Sequence, residues 1–304
     1  MRVLVTGASG FIGQYLLLEL AQASAHEVHG AYHTRQPPLA GCQWHPLDLT
    51  DQPQLRGLLD RINPQAVVHL AAISDVGRAE ANPALATLIN TTSVETIVRY
   101  CAQHGAKLVF LSSDYVFAGD RGRYREEETP APTTQYGRTK WAAEQLVAGN
   151  LADWSSLRAT LVYGWPPPGC HGNLVTAILS RLEQGQPFTG YADMYRTPTY
   201  VRDVVAAIRK LLDEDHPGVS HVAGPDWVNM LQFAIAVAER FNLDRRLAQA
   251  AGSPQDDAEN KRPRLLGLDA SQTARRLGIS LTPVAAGLAQ MQDERRRLPW
   301  LQPH

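Results

Sequence analysis

Apolar and polar positions in the N-terminal half of the chain follow two alternating patterns. Val3-Leu4-Val5 is a short β-branched and apolar run that stops at Thr6-Gly7. Gln14-Tyr15-Leu16-Leu17-Leu18-Glu19-Leu20-Ala21 then reads as a helix buried on one face. Residues 27–32 read as a second strand and 42–49 as a third. Residues 66–72 form a nearly continuous apolar run, as expected of a strand covered on both faces of a parallel sheet. Residues 107–111 give a fifth strand, with helices expected over 53–61 and 83–103. Strands and helices alternating at these lengths imply βαβ units with right-handed crossovers, hence an α/β fold on a doubly wound parallel sheet. Ligands of such sheets meet the carboxyl ends of the strands. From Trp165 the alternation becomes irregular. The pattern predicts a first domain over 1–164, with returning segments near 196–212, and a smaller, discontinuous α/β domain over 165–304. Within the latter, 228–241 and 283–297 read as amphipathic helices.

Composition narrows the function classes. The chain has 304 residues, 44% hydrophobic and 19% charged, with a formal net charge of −1, an ordinary globular balance. Near-neutral charge gives no electrostatic case for nucleic acid or an acidic membrane as partner. The N-terminus enters a strand at once, so no signal peptide is expected, and no apolar run approaches the ~18 residues that span a bilayer. Cys42, Cys101 and Cys170 are odd in number and lack Cys-x-x-Cys spacing, which reads as free thiols in a reducing cytoplasm. The histidines and cysteines show no ligand spacing, so no metal is expected. A glycine-lysine loop for ATP is missing as well. Glu294-Arg295-Arg296-Arg297 reads as a charged helix end that complements the dipole, not a nucleic-acid patch.

Candidate chemistry begins at Thr6-Gly7-Ala8-Ser9-Gly10-Phe11-Ile12-Gly13, between the first strand and first helix. Strand, glycine turn and helix form the setting of a dinucleotide-binding motif. Gly7 permits the tight turn, Gly10 leaves room for a pyrophosphate, and Gly13 packs the helix on the strand. The N–H groups of Ser9, Gly10, Phe11 and Ile12 then face an anion, aided by the helix dipole. After the second strand an acidic residue would favour NAD. The chain has His33-Thr34-Arg35 there, so NADP(H) is favoured over NAD(H), with Arg35 on the 2′-phosphate. The other reading of Arg35 is a solvated loop charge.

A second constellation follows the fifth strand. Ser112-Ser113-Asp114-Tyr115 comes first, and Tyr136-Gly137-Arg138-Thr139-Lys140 later opens a helix. Tyr136 and Lys140, four apart, share one helical face. The ammonium is expected to lower the tyrosine pKa, so that Tyr136 exchanges a proton with a carbonyl oxygen while Ser113 orients it. Alone, such Tyr/Lys pairs are commonplace on solvated helices.

In this order the motifs resemble the extended short-chain dehydrogenase/reductase superfamily, whose first turn reads Thr-Gly-x-x-Gly-x-x-Gly. The resemblance implies a Rossmann-type cofactor domain and a catalytic set of Ser113, Tyr136 and Lys140, with Ser112 beside the cofactor and Lys140 also holding its ribose. It implies that Asp48 and Leu49 contact the adenine, that Leu70, Ala71 and Ala72 pass under the cofactor, and that Asn90 is structural or faces it. Asp48 reads equally as a helix cap, with Thr50 and Asp51 as alternatives. Ser112-Ser113-Asp114-Tyr115-Val116-Phe117 closely resembles the Ser-Thr-Asp-Tyr-Val-Phe motif of dTDP-4-dehydrorhamnose reductases, which implies reduction of a keto group on a nucleotide-activated deoxysugar. Asp114 and Tyr115 then fall on the substrate side. So do Asn173, which contacts substrate or caps a helix, and Arg196, which meets a substrate phosphate or forms a surface salt bridge. Leu157-Arg158, Val162-Tyr163-Gly164 and Arg262-Pro263 extend that likeness. Gly77, Ala143 and the proline run at 164–170 depart from it on the substrate side.

Other stretches, Tyr124-Arg125-Glu126-Glu127, Pro130-Ala131-Pro132 and Ser253-Pro254, resemble the regulatory β-subunit of methionine adenosyltransferase. That likeness implies an NADP-binding protein that acts on a partner enzyme. A sugar-nucleotide epimerase or dehydratase would use the same triad with NAD, which the missing carboxylate near His33 disfavours. The expected partners are a nucleotide sugar and either a homodimer mate or a partner enzyme.

Overall fold

The computed structural model describes residues 1–23, 26–252, 262–295 and 298. The Ser253-Pro254 motif and Arg296-Arg297 lie outside the described residues. No helix among them is long and apolar enough to cross a membrane.

The first compact unit comprises Met1–Ala118, Thr129–Arg158 and Val205–Ser220. Its strands are β1 (Arg2–Thr6), β2 (Glu27–Tyr32), β3 (Gln43–Pro46), β4 (Ala66–His69), β5 (Lys107–Ser113) and β6 (Trp154–Ala159). Together with the strand Gly218–Val222 they form a seven-stranded sheet, ordered Gly218–Val222, β6, β5, β4, β1, β2, β3. The pairings among β1 to β5 are all parallel. Strand order reverses at β1, whose two neighbours are β2 and β4, so the crevice for a ligand opens at the carboxyl ends of β1 and β4.

The helices are α1 (Phe11–Ala23), α2 (Gln52–Ile62), α3 (Val76–Ala81), α4 (Pro83–Thr87), α5 (Ser93–His104) and α6 (Gln135–Asn150). Local chemistry sets their ends. Asp51 caps α2 by accepting from the Gln54 N–H, Pro53 occupies the first turn, and Asn63 closes it in the left-handed region. Leu55, Leu58, Leu59 and Ile62 recur at helical spacing and are the buried face of α2. The expected helix over 83–103 is present as one helical run from Pro83 to His104, in which a π-helical turn, Leu88–Thr92, joins α4 to α5 and carries the buried Asn90. Periodicity cannot register one extra residue in a turn, and such turns gather at functional sites.

The second unit comprises Gly119–Glu128, Ala159–Val204 and His221–His304. Residues 119–128 and 159–164 therefore fall in this unit, not in the first as the boundary at 164 predicts. Residues 205–220, but not 196–204, return to the first. The irregular strand pattern has a physical counterpart here, three two-stranded ladders instead of one sheet. The predicted helix over 228–241 starts two residues later, at Met230–Arg240. Val228–Asn229 pairs antiparallel with Tyr195–Arg196, and Asn229 forms a capping box with Gln232. The last predicted helix spans Val284–Glu294.

Backbone packs tightly at the β1–α1 turn. A Cβ at Gly13 would stand 2.7 Å from the Ala8 Cα and 2.8 Å from its carbonyl oxygen, both rigid backbone atoms. Gly13→Ala should therefore cost about 1–3 kcal/mol by overpacking. Thermal unfolding checks this: Tm should fall by several degrees, whereas Gly149→Ala, with open space around its Cβ site, should leave Tm unchanged or raise it.

Candidate active site

The glycine turn lies at the switch point. Gly7 has φ +67, and a Cβ there would stand 2.7 Å from the Ala71 nitrogen, so the end of β1 runs directly against the segment after β4. Gly10 differs: its Cβ site has only the Gly7 carbonyl oxygen nearby, at 3.1 Å, which leaves that surface open to a ligand. Phe11 and Ile12 open α1, and Ser9 and Gly10 precede it; the Gln14 side chain donates to the Ser9 carbonyl at 2.8 Å and braces the turn. Leu70, Ala71 and Ala72 are half-buried beside it. The cradle fits a pyrophosphate by its shape and by the start of α1, but the Gly10 N–H, expected to face the anion, donates instead to the Gly7 carbonyl at 2.9 Å.

The other wall comes from β5 and α6. Ser112 and Ser113 are the last residues of β5, two beyond its predicted end. The Ser113 hydroxyl donates to Asp114 at 3.2 Å and accepts from the Tyr115 N–H at 3.3 Å. The Ser113 side chain also acts on the Tyr136 phenol, favouring its ionised form. The Ser112 hydroxyl is buried without a hydrogen-bond partner, which suits a ligand hydroxyl at that point. Tyr136 is 7% exposed and Lys140 2%. Tyr115 is half-buried and meets the Tyr136 ring edge-on at 5.6 Å.

Four further contacts fix the register of α6. Thr134 caps it through the Gly137 N–H at 3.1 Å, and Glu80 accepts from the Gln135 N–H at 2.6 Å. Gly137 lets the helix press against the Tyr115 carbonyl, which any Cβ would strike. Asn90 spends its side chain on structure: it accepts from Ile73 N–H at 2.8 Å and donates to the Ile73 carbonyl and the Thr139 hydroxyl at 3.1 and 3.0 Å. Of these residues the sequence reading missed Thr134 and Gly137; the cap was legible as a threonine ahead of a helix, but the close approach at Gly137 was not.

Electrostatics correct one expectation. The Tyr136 phenol lies above its usual pKa, not below, because burial outweighs the stabilising hydrogen bond from Ser113, and Asp114 and Tyr115 push the same way. Tyr136 is thus a protonated phenol at neutral pH. The Lys140 ammonium sits over the Phe110 ring, 4.1 Å from its centroid, and burial pushes its pKa down to about 7 against the opposing pull of Glu144. His69, at the end of β4, is hydrogen-bonded to Thr6 at 2.7 Å and stacked on Phe110 at 6.0 Å. Burial, with Lys140 adding, pushes its pKa down to about 3, so it is neutral.

Other predicted site residues lie as follows. Arg35 is exposed on the loop after β2, and His33 lies 3.9 Å from Asp48. Asp48 accepts both from the Thr50 N–H and from its hydroxyl at 2.8 Å, which holds its carboxyl below the usual range, so Asp51 and not Asp48 caps α2. Leu49 is buried. Asn173 and Arg196 belong to the second unit, and both are engaged by the fold. Asn173 caps the helix Leu174–Glu183 and donates to the Gly164 carbonyl at 2.7 Å. Arg196 is buried and donates to the carbonyls of Tyr195, Arg264 and Pro263 at 2.7, 2.9 and 2.8 Å. It forms neither the surface salt bridge nor the free phosphate fork the sequence suggested.

The charge on Lys140 costs stability. Its pKa is lower in the folded chain than the unfolded value near 10.5, so folding releases a proton between about pH 7 and 10.5 and stability rises with pH across that window. Lys140→Met should raise Tm at pH 7, and the gain should fade towards pH 10. Calorimetry at the two pH values is the check, and a fall in Tm at pH 7 would refute it.

Comparison with known proteins identifies relatives of the whole chain. The chain is 31% identical over 296 residues to a probable low-salt glycan biosynthesis reductase, Agl14, of Haloferax volcanii, covering 96% of this chain and 97% of that one. It is also 31% identical over 297 residues to the methionine adenosyltransferase 2 subunit beta of Pongo abelii, covering 95% and 86%. Among solved structures it is similar to a dTDP-4-dehydrorhamnose reductase from Bacillus anthracis in complex with NADP, with a TM-score of 0.82, 26% identity, and coverage of 97% and 99%. Matched across residues 1–297, the chain belongs to the RmlD substrate binding domain family.

Proposed function

We propose that this protein reduces a keto group on a nucleotide-activated deoxysugar, with NADPH as hydride donor. The observation that carries the reading is the buried set at the β5–α6 wall: Ser113 at the end of β5, and Tyr136 with Lys140 one turn on along the buried face of α6. Tyr136, kept protonated by burial, gives its proton to the carbonyl oxygen as the alcohol forms, and Ser113 orients that oxygen. Lys140 and the Ser112 hydroxyl would hold the ribose beside the reacting carbon. The nicotinamide supplies the hydride.

The turn Gly7–Gly13 and the N–H groups of Ser9, Phe11 and Ile12 would take the pyrophosphate. Asp48 and Leu49 would flank the adenine, with Leu70, Ala71 and Ala72 beneath the cofactor. Arg35 would pair with the 2′-phosphate, a role its exposed position after β2 supports. Asp114 and Tyr115, next to Ser113 and packed on Tyr136, would face the sugar. The Bacillus anthracis relative was solved with NADP and bears the name of a reductase of this type, which supports both parts of the reading. Likeness to the methionine adenosyltransferase β-subunit supports a second one, in which the same site binds cofactor and the protein acts on a partner enzyme.

Spectrophotometry of NADPH oxidation with a dTDP-4-keto-6-deoxysugar separates them. Wild-type turnover and a loss of at least ~10²-fold in Tyr136→Phe are expected for the reductase. Tight NADPH binding with no turnover would favour the regulatory reading. Arg35→Asp should shift the ratio of NADPH to NADH affinity by at least ~10-fold towards NADH, since a charge-assisted pair is lost and repulsion gained. Equal loss of both affinities would remove Arg35 from the phosphate.

A further inference from the structure

Tyr136, Lys140 and Glu144 stand at i, i+4 and i+8 of α6, a single stripe on its buried face. The third member plays no part in the chemistry described above. Glu144 is 2% exposed, as is Arg158 of β6, and the two form a forked ion pair. Arg158 Nε donates to both carboxylate oxygens at 3.0 and 3.2 Å, and Nη2 donates to Oε2 at 2.7 Å. The Arg158 guanidinium lies over the Phe117 ring at 5.0 Å, just as the Lys140 ammonium lies over Phe110. Of these two buried cations, each on an aromatic face, Arg158 is paired directly with the buried carboxylate and Lys140 stands one helical turn from it.

We propose that Glu144 is a positioning residue for Lys140, holding its side chain as an ammonium beside Tyr136, and that Arg158 sets how much of the carboxylate's charge reaches it. The proposal rests on the reading of Lys140 as a member of the reacting set. In a buried site a charge one helical turn away acts with little screening. Lys140 is also faced by His69, which is neutral, and by the protonated Tyr136, while Glu144, one turn away on the same buried face, favours its charged form. A purely structural pair would tie α6 to β6 without altering Lys140.

The chain has four lysines, Lys107, Lys140, Lys210 and Lys261. NMR of 13Cε-lysine therefore gives a sparse spectrum, in which Lys140→Met assigns the resonance. The titration midpoint of Lys140 should fall by about one pH unit or more in Glu144→Gln and rise in Arg158→Met, because the first removes the anion and the second its neutralising partner. Leaving Arg158 buried alone can unfold Glu144→Gln. The double variant Glu144→Leu/Arg158→Met removes both charges and should fold, with a midpoint between that of Glu144→Gln and wild type. Opposite shifts in the single variants, or a rise in Arg158→Met with a fall in the double variant, support the proposal. A midpoint that stays put in Arg158→Met and the double variant, whatever happens to Tm, overturns it. The readout needs no turnover: failure of keto-sugar reduction would leave this result standing, and an unmoved midpoint would leave the reductase reading untouched.

Discussion

A lysine side chain stands one helical turn from the Tyr136 phenol in this protein only by giving up water, and desolvating an ammonium is among the costlier acts a fold can perform. Lys140 is almost wholly buried, and its proton is held by an aromatic face below and a carboxylate one turn away. The balance leaves its pKa near 7, so the group sits at the edge of losing its charge under ordinary conditions. Such a balance depends on Phe110, Glu144 and Arg158 keeping their places, and those places are set by β5, α6 and β6.

The same dependence runs across the sheet. Thr6 at the end of β1 bonds to His69 at the end of β4; His69 stacks on Phe110 of β5; Phe110 carries Lys140 of α6. One line of contacts thus joins the strand that feeds the glycine turn to Lys140. The first two links are between neighbouring parallel strands, whose carboxyl ends lie side by side at the switch point, and the third passes from β5 to α6. The glycine turn and the β5–α6 wall are therefore placed with respect to one another by the sheet itself.

The second unit shows what a polar residue in a motif does not reveal. Asn173 and Arg196 carry groups suited to a sugar or a phosphate, yet one is spent on a helix N-terminus and the other on three backbone carbonyls. Irregular backbone leaves carbonyls without ladder partners, and a buried arginine with several donors is an effective way to satisfy them. Three short ladders in place of one sheet create that demand.

Much of the first unit was legible because its signals are local. Glycine spacing after a strand, apolar strands bounded by turns, and a tyrosine and lysine four apart are properties of short stretches, and their periods follow from helix and strand geometry. From them the doubly wound sheet, the cradle at Gly7–Gly13 and the pairing of Ser113 with Tyr136 and Lys140 follow. The sign of the tyrosine's pKa shift, the structural duty of Asn90, the π-helical turn that bears it and the Glu144–Arg158 pair were not legible. Each depends on how much water is excluded and on which groups from distant segments fill the space. Burial and long-range pairing are properties of the assembled fold, since the same side chain in sequence is a ligand, a cap or a brace until its neighbours are in place.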